Sequence, residues 1–180
     1  MSVRTELLLA AALSCAASVA AVPARADVRV TLTMVGGSLS IAQPSATATI
    51  AGVASSTSGT VSTGSVGSTT VNDTRNSTAG WTVSISSTDL SDGASHTITA
   101  GNLVAYLTSV PTPTVAGTAV VTTTKLSAVT GLVLSNSPGV LMTATTTLSN
   151  TVTYNPTLQL TVASTVIAGT YTGTITQSVV

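Results

Sequence analysis

Charge is the scarcest property of this 180-residue chain. Asp, Glu, Lys and Arg make up 6% of it, against about 25% in an ordinary soluble domain. Beyond position 26 the charged residues are Arg29, Arg75 and Lys125 against Asp27, Asp73, Asp89 and Asp92. No basic patch can form from these, which excludes nucleic acid as a partner. Aromatics stand at 2%, with no Phe and a single Trp. One His and one Cys cannot supply the ligands of a zinc site, and no cofactor motif is present. Past the N-terminus no apolar run approaches the ~20 residues needed to span a bilayer. Helical i, i+3, i+4 spacing is also missing, so no long helix is expected after the leader.

What remains is Thr, Ser, Val, Ala and Gly, with Ser and Thr filling roughly a third of the chain. Thr and Val are β-branched and suit a pleated surface. A disordered Ser/Thr-rich stalk is the alternative. The 43% hydrophobic content, spread through the chain in strand-like alternation, argues against it. The expectation is an all-β fold, a single antiparallel β-sandwich of immunoglobulin-like or related Greek-key type over residues 27–180.

Residues 1–26, "MSVRTELLLAAALSCAASVAAVPARA", read as a cleaved export signal. Arg4 marks the basic region, Leu7 to Val22 the apolar stretch, and Ala24-Arg25-Ala26 the small-residue cleavage site. Two alternatives are an uncleaved anchor and a lipoprotein acylated at Cys15, although Ala12-Leu13-Ser14 is a poor lipobox. Cleavage after Ala26 leaves a chain with no cysteine. No disulfide then staples it, and packing and sheet hydrogen bonds must hold it together.

Strand candidates follow at intervals of about ten residues. They are "VRVTLT" (28–33), "ATATI" (46–50), "WTVSISS" (81–87), "NLVAYLTSV" (102–110), "AVVTTTKL" (119–126), "GLVLS" (131–135), "GVLMTATTT" (139–147), "TLQLTVA" (157–163) and "GTYTGTITQSVV" (169–180). In the last, Tyr171, Ile175 and Val179 share one face and Thr170, Thr172, Thr174 and Thr176 the other. The Gly- and Ser-rich stretch 51–68 reads as a loop or a frayed hairpin.

One short run, Val71 to Gly93, holds the only Trp, three of the five acidic residues and Arg75. His96 beside Asp89 and Asp92 has the residue types of a catalytic triad. No G-x-S-x-G elbow accompanies it, however, and it reads as a loop residue, so no enzyme is expected. "STDLSDG" lacks the spacing and closing Glu of a calcium loop, and Asp89 and Asp92 read as solvated turn residues. The sequons at Asn72 and Asn76 are what chance yields in so Thr-rich a chain.

Two patches, "DTRNSTAGWTVSIS" and "AGTYTGTITQSV", together resemble the WxL domain of Gram-positive bacterial surface proteins. In that family a D-T-R-x-x-x-x-G-W-x-L segment lies in the first half. A G-x-Y-x-A/G-x-I/L-x-W-x-L strand closes the domain. Asp73, Thr74, Arg75, Gly80 and Trp81 match the first, with Val83 in place of Leu. Gly169, Tyr171, Gly173 and Ile175 match the second, and Gln177-Ser178-Val179 stands where its Trp-x-Leu would fall. The resemblance implies an exported, non-enzymatic protein at the bacterial surface, attached non-covalently to cell-wall peptidoglycan. Trp81, Arg75, Asp73 and Tyr171 are then the binding candidates. Two roles follow for the first segment: Arg75 pairs with Asp73 and stacks on the Trp81 indole to order a loop, or Trp81 stacks on a wall sugar. The alternative function is a structural or adhesive subunit that joins itself or other surface proteins through unguarded sheet edges.

Overall fold

A computed structural model describes residues 31–43, 47–54, 59–113 and 118–180. The expected signal segment, 1–26, lies outside them. Residues 35–180 form one unit by their contacts, and 31–34 carry no regular structure.

Among the described residues thirteen strands build the unit: β1 (Leu39–Ala42), β2 (Thr60–Ser65), β3 (Thr69–Asp73), β4 (Trp81–Ser87), β5 (Leu90–Ser91), β6 (Thr97–Ile98), β7 (Leu103–Tyr106), β8 (Thr118–Thr122), β9 (Leu132–Val133), β10 (Gly139–Thr147), β11 (Asn150–Tyr154), β12 (Thr157–Val162) and β13 (Ile175–Val179). A 3₁₀ turn at Ala100–Asn102 is the one helical element among the described residues. None of them forms a helix long and apolar enough to cross a membrane.

The strands form sheets ordered β1-β3-β11, β13-β4-β10-β8 and β2-β12-β7-β9, plus the small pair β5-β6. Every pairing is antiparallel, and only β5 and β6 are consecutive in the chain. The chain therefore crosses between sheets at nearly every step, and the all-β sandwich closes around contacts distant in sequence. Such pairing makes for slow folding, because loop closure precedes the contacts that offset it.

Strand β4 shows why the alternating segments fold as they do. Trp81, Val83, Ile85 and Ser87 are buried, while Thr82, Ser84 and Ser86 stay partly exposed. Strand β10 carries a register shift between Val140 and Met142, so Leu141 and Met142 both turn inward before strict alternation resumes at Ala144 and Thr146. With Leu103, Ala105, Leu107, Val121, Leu158 and Leu160 these side chains make one continuous core.

Several expectations are corrected. The clean alternation of "VRVTLT" does not make a strand at Thr31–Thr33, and residues 28–30 lie outside those described. Of "ATATI", the described residues Thr47–Thr49 are irregular, and only Ile50 bridges, to Gly64. Alternation permits a strand, but a partner edge must also be within reach. The 51–68 stretch is not all loop, because β2 runs through it and pairs with six residues of β12. The closing strand starts at Ile175, and the Thr170–Thr174 part meets the fold through a bridge between Thr172 and Ser91 and hydrogen bonds between Thr174 and Thr88.

Candidate functional site

The D-T-R-x-x-x-x-G-W run becomes a closed polar node at the end of β3. Asp73 closes that strand and is 1% exposed. Its Oδ1 accepts the Arg75 backbone N–H at 3.0 Å and Nε at 2.9 Å, and its Oδ2 accepts Nη2 at 2.9 Å. This is a bidentate pair, the strongest geometry for Arg with a carboxylate. The same Nη2 also donates to the carbonyls of Ala79 and Gly80, both at 3.0 Å. Arg75 thus closes the loop between β3 and β4, in which Asn76 adopts a left-handed φ of 53°.

Thr74 holds the other side. Its Oγ1 accepts the Ser38 N–H at 2.8 Å and donates to the Ser38 carbonyl at 3.0 Å, tying down the segment that leads into β1. Gly80 is required by contact. A Cβ there would sit 2.4 Å from the Ala144 carbonyl oxygen on β10, a separation that backbone oxygen cannot relieve cheaply.

Trp81 is 2% exposed. Its Nε1 donates to Oδ1 of Asn150 at 3.3 Å, and Asn150 lies opposite Asp73 in the β11–β3 register. The indole is engaged by Asn150, and the hydrogen-bond partners of the guanidinium are Asp73 and two carbonyls rather than the ring. Buried as it is, Trp81 offers no ring face to a sugar. The Arg75 guanidinium holds the Asp73 carboxyl below its usual range, against the opposing effect of burial.

Tyr171 lies apart from this node. Its hydroxyl donates to the Ile167 carbonyl at 3.0 Å, and its ring lines a cavity of about 770 Å³ between segment 47–54 and the crossover 163–174. The four residues singled out from the sequence therefore divide three to one, with Asp73, Arg75 and Trp81 together and Tyr171 elsewhere.

Gln177, which stands where the WxL resemblance would put a second Trp, is buried. It accepts the Tyr154 hydroxyl at 2.9 Å and donates to Thr69 Oγ1 at 3.2 Å. Strand β13 pairs with β4, setting Gln177 opposite Ile85 and Val179 opposite Val83. Trp81 and Gln177 are thus both core positions, on neighbouring strands.

Asp89 and Asp92 are more than solvated turn residues. Asp89 accepts the Ala100 N–H at 2.8 Å. Asp92 accepts the N–H groups of Ala94 and His96 at 2.9 and 3.2 Å and pairs through its other oxygen with His96 Nδ1. The His96 contact, then the Ala94 amide, holds the Asp92 carboxyl below its usual range. Among the described residues no Ser or Thr hydroxyl joins this pair, and no three metal-ligating side chains come together.

Fold and node together define an all-β sandwich pinned by an ion pair on a buried carboxylate and by a buried indole. No family model matches the chain, and no curated protein or solved structure matches it either. The WxL likeness therefore rests on its two motif patches.

Proposed function

We propose that the chain is an exported, non-enzymatic surface protein of WxL type that associates non-covalently with cell-wall peptidoglycan. The observation that carries this reading is the pairing of the two motif patches: β4, which follows Asp73-Thr74-Arg75, lies beside β13, which follows Gly169 and Tyr171. With Trp81 and Gln177 turned inward, the polymer contact moves to the outward face of the same sheet. There Thr82, Ser84, Thr143, Thr145, Thr176 and Ser178 present hydroxyls on adjacent strands. A flat, uncharged, hydroxyl-bearing face suits a neutral glycan, which binds through many weak polar and water-mediated contacts.

The test is sedimentation of the purified protein with peptidoglycan sacculi, beside a Thr143→Glu/Thr145→Glu variant. The reading expects the wild type in the pellet and the variant largely in the supernatant. A wild type that stays in the supernatant contradicts wall association. A variant that pellets equally well removes the hydroxyl face as the contact.

A second reading is favoured by β8. It ends its sheet, carries no charged residue or Pro, and leaves Val120 64% exposed. Such an edge lacks the devices that block strand addition. Assembly through it expects particle size to grow with protein concentration in the absence of sacculi, measured by light scattering.

A further inference from the structure

The cavity beside Tyr171 belongs to neither the buried node nor the hydroxyl face. It lies where β2 and β13, each at the end of its sheet, leave the space between the sheets uncovered. Segment 47–54 walls one side and the crossover 163–174 the other. At about 770 Å³ it falls within the range of small-molecule sites. Its base reaches the core residues Leu103, Leu158 and Leu160, and Ile50, Val162 and Val166 stand in its walls.

Two observations set the chemistry of an occupant. No Asp, Glu, Lys, Arg or His lines the cavity. A carboxylate or ammonium held inside would be an unpaired charge away from water, at a cost no neighbouring group offsets. Four of the hydroxyls at its lining are also turned to the walls. Ser62 donates to the Ala51 carbonyl at 2.7 Å, Thr60 to Ala54 at 3.3 Å, Ser87 to Thr88 at 2.7 Å, and Tyr171 to Ile167 at 3.0 Å. With those four protons committed, the base of the cavity presents the aliphatic carbon of Leu103, Leu158 and Leu160, and the remaining polar lining, Gln43 and Thr residues of 47–49 and 170–174, lies on the two walling segments. Apolar cavities of this kind take apolar guests more readily than water.

One close approach makes the wall possible. A Cβ on Gly64 would lie 2.5 Å from the Thr49 carbonyl oxygen and 2.9 Å from the Ile50 Cα. The bare glycine lets 47–54 lie against β2, where the Ile50–Gly64 bridge and the Ser62 hydroxyl hold it.

We propose that this cavity is a binding site for an uncharged apolar small molecule, of the size and chemistry of an alkyl or prenyl chain or a neutral polycyclic. It stands independently of wall association, since its walls share none of the outward hydroxyls of the β13-β4-β10-β8 sheet named above.

The probe is Nile red, a neutral polycyclic dye that fluoresces when it leaves water. It is titrated into the wild type and into Ile50→Trp and Val166→Trp, which fill the cavity from opposite walls. Val129→Trp, on an exposed loop away from the cavity, is the control. Thermal melts confirm that each variant folds. Saturable one-to-one binding is expected in the wild type and control, and binding weaker by about tenfold or more in both filled variants. A chitin oligosaccharide added in excess should leave the dye bound. Absence of saturable binding to the wild type overturns the proposal. So does equal binding by a folded filled variant, and displacement of the dye by the oligosaccharide assigns the site to a polar ligand and overturns it as well.

Discussion

The node around Trp81 and the cavity beside Tyr171 are built from the same poor alphabet and reach opposite ends. In the node, Asp73 pairs with Arg75 and the Trp81 indole bonds Asn150, with Asp73, Asn150 and Trp81 all buried. Around the cavity, the Thr60, Ser62 and Ser87 hydroxyls bond back to nearby carbonyls, and an aliphatic base lies under open volume. A chain with so few charges places the Asp73–Arg75 ion pair at the end of β3, where it closes a loop, and lines this cavity with no charged residue. The difference separates the two regions: the motif residues hold the fold, and the cavity beside Tyr171 stays open.

The comparison breaks most visibly at Trp81. Truncation to Ala removes the indole from a packed core and should cost about 3–5 kcal/mol, read as a drop in the urea midpoint. Val166→Ala on the cavity wall removes a half-buried side chain facing open volume, and should cost about 1 kcal/mol or less. Equal losses at the two sites would erase the distinction.

Asp73→Ala comes next. It leaves the Arg75 guanidinium without its carboxylate, and a loss of about 2–3 kcal/mol is expected, below the full value for a buried pair because Arg75 is 27% exposed. The same pair predicts the acid response. Because its folded-state pKa is lowered, the Asp73 contribution is complete above the unfolded carboxylate value of about 3.9. It is lost as pH falls below that value toward the folded one. Stability measured against pH should therefore fall on that acid side, and the fall should be shallower in Asp73→Asn. The Asp92 share, of the same sign, remains in that variant.

The smallest effect is expected at Tyr171. Tyr171→Phe removes one partly exposed hydrogen bond to Ile167 and should change stability by about 1 kcal/mol or less. Nile red binding should persist, because the ring still lines the cavity.

The sequence disclosed the two regions unequally. Strands β4 and β10 were legible because apolar residues alternate along them and the burial follows that alternation. Strands β3 and β11 were missed because their inward residues are Thr69, Val71 and Asp73 on one and Asn150, Val152 and Tyr154 on the other. Inward polar residues hide a strand from any pattern of hydrophobicity, and several of their partners are distant in sequence, Trp81 for Asn150 and Gln177 for Thr69 and Tyr154. Asp73 and Asn150 are opposite one another in the register, yet nothing local to either segment shows it. The signal available was the bare alternation of Asn150, Val152 and Tyr154. The ion pair of Asp73 with Arg75 was foreseen, since the two are two positions apart. The engagement of the indole by Asn150 was not, nor was the cavity, whose walls lie about a hundred residues apart in the chain.

Trp81 is the only tryptophan, so its fluorescence reports on the node alone. The most direct test of the central claim is acrylamide quenching of that emission in the free protein and in the presence of sacculi. The account predicts a blue-shifted emission with shallow quenching, unchanged when the sacculi are added. A quenching slope like that of free indole, or an emission shift when sacculi are added, would contradict it and make Trp81 a contact for the polymer.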